Sequence, residues 1–303
     1  MNIYTLLGYI PIIVESNIND ESNNPGMTAP NCSSRSRVFA DLHVHTTLSD
    51  GRDSPQEVVK KALQMGLKAI AITDHDTVVG IKDVMRAADG TSLRIIPGIE
   101  MSTEGGRHLV GLFIDTNCKE ISEFSDFMRK SRADWAKKVV TNLEEKGIAS
   151  ISFNDLMEKV GKGVVGKPQI ATMAFDTYDK VKVKQFIETN LNKDMPAYVS
   201  KKKKTMEECI SIVIKAGGIP VLAHPCSHKS KKVDDLDQLA AAGLKGIEIH
   251  YPDQTPKGEN YHLKLAEELG LAISGGSDHH DGDGLGEYGV TEEEFMKLEG
   301  LVR

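Results

Sequence analysis

From residue 38 onward the chain alternates short apolar runs with longer stretches of helical period. VFADL at 38–42 and the runs at 69–73, 94–97, 108–114, 219–223, 246–250 and 272–274 predict strands. Between them lie amphipathic segments. Ser54 can cap a helix that Pro55 opens and Gly66 ends. Further helices are predicted over 76–88, from Thr205 with Glu208 completing a capping box, over 233–242 and over 258–269. The strand–helix–strand spacing predicts right-handed parallel crossovers. About seven such units suit a distorted α/β barrel better than an open sheet.

Two regions break the pattern. Residues 117–195 show no strand alternation, and helices are predicted at 120–146, 153–160, 168–175 and 180–191. This stretch is expected to be a helical insertion, or cap, dividing a barrel made from 38–116 and 196–303. Residues 1–37 begin with the apolar MNIYTLLGYIPIIV and continue as an Asn- and Ser-rich stretch. They are expected to form a flexible extension outside the fold. The apolar start is shorter than the ~20 residues a membrane span needs, and no basic residue precedes it as in a signal peptide. A start at Met27 and a weak membrane-proximal anchor are the competing readings.

The chemistry gathers where the apolar runs meet polar residues. DLHVHTTLSDG places His43 and His45 two residues apart, so on a strand both face one side, with Asp50 shortly after. AITDHDT ends another run in Asp74, His75 and Asp76. Glu100 follows a third, His108 starts a fourth, His224 ends a fifth, and Asp278, His279 and His280 follow the last. A capping aspartate or a surface histidine would account for any one of these. Together they suggest a shared face at the strand ends, where catalytic loops of parallel α/β folds assemble. Nine residues are candidate metal ligands: His43, His45, Asp50, His75, Glu100, His108, His224, Asp278 and His280. They exceed what one ion of four to six ligands uses, so two or three ions sharing a carboxylate are expected. Imidazole mixed with carboxylate suits Mn²⁺, Fe²⁺ or Zn²⁺ better than Mg²⁺. Such ions acidify water and neutralise phosphoryl oxygens, which fits hydrolysis of a phosphate ester by a metal-bound hydroxide. Asp50, Glu100, Asp278 and His280 are the expected catalytic residues. A thiolate ligand from Cys226 is the less favoured alternative.

HVHTTLSDG, AITDHDT, PGIEMST, HLVGLFID, AGGIPVLAHP and GGSDHH, in this order over 38–288, resemble the PHP (polymerase and histidinol phosphatase) family. They most resemble its stand-alone phosphoesterases, which include nucleoside 3′,5′-bisphosphate phosphatases and 5′–3′ exoribonucleases. The resemblance implies a distorted (β/α)7 barrel and three ions. His43, His45, Glu100 and Asp278 would hold the first; Glu100, His108 and His224 the second; Asp50, His75 and His280 the third. It also implies a 3′-phosphate of a nucleoside 3′,5′-bisphosphate as substrate, with the 5′ ends of short single-stranded RNA as a further one. Arg132 and Lys167 stand where a second phosphate would be held, and His250 and His279 are further substrate-contact candidates. Lys167 and Gln169 replace the Arg and His common in relatives, which bears on the substrate. Asp74 and Asp76 are expected to orient ligands or hold their loop; His228 and His262 read as surface residues.

The 303 residues, 40% hydrophobic and 27% charged, describe a soluble globular chain. A net charge of −7 speaks against a broad duplex-binding surface. Cys32, Cys118, Cys209 and Cys226 form no Cys-x-x-Cys pair and read as free thiols of a cytoplasmic protein with no stable membrane association. The lysine run at 201–204 reads as a solvated loop, with phosphate binding as the alternative. GKGVVGK at 161–167 lacks the spacing and preceding strand of a phosphate-binding loop. A histidinol-phosphate or sugar-phosphate phosphatase and a non-catalytic regulatory module are the alternative functions.

Overall fold

The computed structural model describes residues 38–175, 178–225, 233–282 and 284–302. The expectations for residues 1–37, Cys226 and His228 lie outside the described residues. Seven strands form one sheet in sequential order: β1 (Ala40–Val44), β2 (Ala69–Ile72), β3 (Arg94–Ser102), β4 (His108–Leu112), β5 (Ile219–Leu222), β6 (Gly246–His250) and β7 (Ala272–Gly275). The chain beyond β7 returns to β1, where His45 N–H donates to the His279 carbonyl at 3.0 Å and His279 N–H to the His43 carbonyl at 3.3 Å. The sheet is thus a nearly closed barrel.

Helices α1 (Pro55–Met65), α2 (Ile81–Ala88), α7 (Met206–Lys215), α8 (Leu236–Ala241) and α9 (Pro256–Leu269) cover the outside. Local sequence explains their bounds. Ser54 caps α1 in a capping box with Glu57, Gly66 closes it in a left-handed conformation, and Thr205 with Glu208 repeats the capping box on α7. Alternation along β1 puts Ala40 and Leu42 among the apolar residues that fill the barrel with Val110, Leu112 and Val221. Phe295 and Leu298 of α10 (Glu292–Glu299) belong to the same cluster.

The strand directions depart from the expected all-parallel barrel. β3 pairs with β4, and β4 with β5, in antiparallel register, while the other pairs are parallel. β3 is also longer than its apolar run. It continues past Pro97 and Gly98, so Glu100 lies within the strand opposite Val110 rather than after it. Both differences come from the short connection Thr103–Arg107, which leaves no room for a crossover helix and so makes a hairpin. They also explain His108. Because β4 runs backwards, its first residue stands at the same end of the barrel as the last residues of the parallel strands.

Helices α3 (Lys119–Glu145), α4 (Phe153–Val160), α5 (Lys167–Met173) and α6 (Lys180–Phe186), followed by a π-helical turn at Ile187–Leu191, lie between β4 and α7. Trp135, Leu143, Leu156, Ile170, Val183 and Phe186 give these helices an apolar cluster of their own. They rest on loops that follow β1, β2 and β7. Val164 N–H donates to the Leu48 carbonyl at 3.0 Å, Arg132 reaches Asp76, and Tyr178 donates to Asp281 at 3.1 Å. Among the described residues no helix is long and apolar enough to cross a membrane.

Candidate metal centre

All nine candidate ligands meet at the end of the barrel where β1 finishes and β4 starts. Asp41 and His43 alternate with Leu42 and Val44 on β1, His45 follows directly after its end, and both imidazoles are fully buried. Glu100, also fully buried, is the hub. One carboxylate oxygen, Oε2, lies 3.3 Å from His43 Nε2, 3.2 Å from His45 Nε2 and 2.9 Å from His75 Nδ1. The other, Oε1, lies 2.7 Å from His108 Nδ1 and 2.8 Å from His224 Nε2. Asp278 Oδ1 stands 3.4 Å from His43 and 3.2 Å from His45. Asp50 faces His280 Nε2 at 3.2 Å, His75 Nε2 at 3.6 Å and His45 Nδ1 at 3.7 Å.

Three overlapping sets bring one ligand atom per residue within 4.8 Å of each other: His43, His45, Glu100 and Asp278; His45, Asp50, His75 and His280; and His75, Glu100 and His108. His45, His75 and Glu100 each belong to two sets. His224 joins through its contact to the same Glu100 oxygen as His108.

The donor set fits divalent cations. His43 Nε2, His45 Nε2, His75 Nδ1, Asp50 Oδ1, Glu100 Oε2 and Asp278 Oδ1 are buried and lack an aligned hydrogen bond. Buried polar atoms in native proteins are normally satisfied. Atoms that instead converge with lone pairs inward are what a cation would complete. The electrostatics agree. Burial opposes charge on Glu100, yet His75, His108 and His43 hold its carboxyl well below the ordinary range. Burial likewise opposes charge on Asp278, and His43 and His45 overcome it to lower its pKa. Burial pushes His108 down to about 4. His280 is held up at about 10 against burial by Asp50 and Asp278. The carboxylates therefore remain anionic, and bound cations would compete with protons for the imidazoles.

Several groups position the ligands, and of these Glu248 and Asp41 were not evident in the sequence, whereas Asp74 was expected in such a role. Glu248, on β6 and 1% exposed, accepts from His43 Nδ1 at 2.8 Å and from the His224 backbone N–H at 2.7 Å. A proton fixed on Nδ1 leaves the Nε2 lone pair of His43 facing the cluster. The available signal was a carboxylate alternating with Ile247 and Ile249 on a buried strand. Asp41 accepts from the Ser277 N–H at 2.9 Å and hydroxyl at 2.6 Å, tying β1 to the loop that carries Asp278. Asp74 accepts from Thr46 N–H at 2.8 Å and from Ser49 Oγ at 2.6 Å, which holds the loop leading to Asp50. Gly276 permits this packing, since a Cβ there would meet His43 at 2.4 Å. His224 and Asp278 adopt positive φ of 23° and 50°, an unfavourable backbone that concentrates at functional sites.

Other expected residues have different surroundings. Arg132, expected at a substrate phosphate, is 3% exposed and bound to protein. Its Nε donates to Asp76 Oδ2 at 2.8 Å, one terminal nitrogen to the Val165 carbonyl at 3.0 Å and the other to Ser102 Oγ at 3.3 Å. Lys167 is partly buried and donates to Asn192 Oδ1 at 2.8 Å. His250 turns away from the cluster to Glu294 at 3.1 Å and Glu259 at 3.6 Å. His279, 3% exposed, turns to Asp53 at 2.6 Å. His262 is 2% exposed on α9, not a surface residue, because it lies on the apolar side of that helix with Ala266. Gln169, just beyond Lys167, hydrogen-bonds the Ser49 carbonyl and so links α5 to the loop carrying Asp50.

A cleft of about 490 Å³ adjoins the cluster. Asp50, Asp278 and His280 line one side, and Tyr178, Lys180 and Lys184 the other.

Residues 41–193 match the PHP domain family. The chain is 28% identical over 260 residues to the 3′,5′-nucleoside bisphosphate phosphatase of Chromobacterium violaceum, covering 84% of this chain and 91% of that protein. It is 31% identical over 246 residues to a 5′-3′ exoribonuclease of Haemophilus influenzae, covering 79% and 89%. A solved structure from Bifidobacterium adolescentis, assigned as a metal-dependent phosphoesterase, superposes with a TM-score of 0.79 at 26% identity, covering 87% of this chain and 96% of that one.

Proposed function

Because the chain belongs to the PHP domain family and is a metal-dependent phosphoesterase, we propose a narrower reading: it hydrolyses the 3′-phosphate of nucleoside 3′,5′-bisphosphates. The observation that carries this reading is the buried cluster of imidazoles and carboxylates opening on a 490 Å³ cleft. The relatives named for a bisphosphate phosphatase and an exoribonuclease support the nucleotide class.

His43, His45, Glu100 and Asp278 would hold one divalent ion; Glu100 with His75, His108 and His224 a second; Asp50 with His45, His75 and His280 a third. Such ions supply charge neutralisation at a phosphoryl oxygen and acidification of water. The protein supplies the rest. Glu248 fixes the tautomer of His43, and Asp41 and Asp74 fix the loops bearing Asp278 and Asp50. Glu100 is fully buried, which strengthens the charge contacts it makes with the surrounding imidazoles. The helices α3–α6 act as a cap, and their side of the cleft is the part of the site able to discriminate one leaving group from another.

A phosphate-release screen on Mn²⁺-loaded protein tests the assignment. Adenosine 3′,5′-bisphosphate should give a higher kcat/KM than adenosine 3′-monophosphate, 5′-phosphorylated short RNA or histidinol phosphate. Preference for histidinol phosphate, or release from none of them, would sink it.

A further inference from the structure

Lys61, Asp53 and His279 form a network outside the ligand set. Asp53 ends the loop that carries Asp50 and stands just before Ser54, the cap of α1. Its Oδ2 accepts from His279 Nε2 at 2.6 Å and from Lys61 Nζ at 2.6 Å. Lys61, on α1, also donates to the Gly282 carbonyl at 2.9 Å. His279 is buried, and Asp53 and Lys61 are partly so. The other ring nitrogen of His279, Nδ1, has no hydrogen-bond partner among the described residues, so Asp53 is the group that orients the ring. A lysine–aspartate pair at a surface contributes little. This carboxylate is shared with a buried imidazole, and removing it would leave a buried donor unsatisfied, which costs more.

The network spans a seam between two ligand-bearing loops. Thr47 N–H donates to the Asp53 carbonyl at 3.0 Å, closing the loop around Asp50, and Arg52 N–H donates to the His280 carbonyl at 2.8 Å. A Cβ on Gly51 would meet the His45 carbonyl at 2.7 Å, so this loop packs directly against the chain leaving β1. Asp50 and His280 face each other across the seam at 3.2 Å. Asp278 lies on the same loop as His280 but is held separately, where Asp41 accepts from the Ser277 N–H and hydroxyl. The two carboxylates thus divide that loop: Asp41 fixes the end carrying Asp278, and Asp53 the end carrying His280.

We infer, on the reading of the cluster as a metal centre, that Lys61, Asp53 and His279 are positioning residues that set the spacing of Asp50 and His280, and through it the affinity of the ion those two share. Groups that orient ligands without binding the ion control its affinity in this way. His279 carries the constraint from Asp53 to its neighbour His280, while Lys61 ties Asp53 and Gly282 to α1. The ion of His43, His45, Glu100 and Asp278 draws on β1, β3 and the end of the loop fixed by Asp41, so the network should leave it in place.

The test is Mn²⁺ binding to the full chain, by equilibrium dialysis with elemental analysis. It compares wild type with Asp53→Asn, His279→Phe, Lys61→Met and Lys61→Arg, and uses Asp50→Asn to mark the ion concerned. Asp53→Asn, His279→Phe and Lys61→Met should each weaken that ion about 10–100-fold, the range for losing a group that orients a ligand, and leave the remaining ions bound. Lys61→Arg, which keeps the charge and the reach, should bind as wild type does. Adding His279→Phe to Asp53→Asn should weaken the ion no further, because both remove one contact. Equal weakening of every ion, which a merely structural role would give, or unchanged binding in Asp53→Asn would overturn the inference. Should wild type hold no ion sensitive to Asp50→Asn, the metal reading of that site fails, and amide hydrogen exchange of the metal-free protein still decides the positioning role. Exchange at Arg52 should rise about tenfold in Asp53→Asn, the scale of one hydrogen bond, while Ser277 stays protected; equal exchange at Arg52 in the two proteins refutes it.

Discussion

Replacing Arg132 by Met should damage stability rather than substrate selectivity. Arg132 and Asp76 form an ion pair with side chains 4% and 0% exposed, joining α3 to the loop after β2. The substitution fills most of the side-chain volume but leaves Asp76 with the Ser102 N–H at 2.7 Å in place of its guanidinium partner. The Val165 carbonyl also loses a donor. Burial already works against the charge on Asp76, and Arg132 is the main group that outweighs it. Breaking such a pair from one side costs about 3–5 kcal/mol. That corresponds to a melting-temperature drop of about 6–20 °C for a domain of this size class. The assay is thermal and urea unfolding of metal-loaded protein at neutral pH, with Asp76→Asn and the double variant completing a cycle. The double variant should be more stable than the sum of the single losses predicts, because no charge is then left buried alone. A loss below about 1 kcal/mol, accompanied by a KM increase confined to the bisphosphate, would return Arg132 to the substrate.

Three further outcomes are expected. Glu248→Gln should weaken metal affinity about 10–100-fold, measured by competition with a chelating dye, because His43 loses the partner that fixes its ring; unchanged affinity would remove Glu248 from the site. Glu100→Gln should lower kcat on the order of a hundredfold or more while the circular dichroism spectrum stays native; activity within a few-fold of wild type would contradict its place at the hub. Burial raises the Glu294 carboxyl, but bonds from His250 and Thr291 prevail and hold it at about 2. Its stabilising contribution is therefore complete above the ordinary glutamate pKa of about 4.5 and lost as pH falls toward 2, so Glu294→Gln should flatten the acid limb of the melting-temperature profile in that window.

Much of this was legible along the chain. A histidine or carboxylate at the edge of an apolar run reports both the strand and its chemically active end, which is why His43, His45, His75 and His224 were readable. Capping residues such as Ser54 and Thr205 fixed helix starts through purely local hydrogen bonds. Strand direction was not local in this sense. β4 reads like its neighbours, and only the short connection after Ser102 makes it antiparallel. Partner choice was likewise invisible. Arg132 and His279 are polar residues in plausible places, and only the fold sets them against Asp76 and Asp53. Glu248 hid within an apolar strand, and the lysine run at 201–204 read as one charged patch because the segment around it had no clear period. Its backbone is anchored by Ser131 and Glu104, with Lys202 exposed and Lys201 and Lys203 partly buried.

These imidazoles and carboxylates are proposed to form one shared metal centre around Glu100. Elemental analysis of the protein, stripped of metal and reconstituted with Mn²⁺, tests it most directly. Roughly two to three tightly held ions per chain are expected, because the ligand set exceeds the four to six that one ion uses. A stoichiometry of one ion or fewer would contradict it.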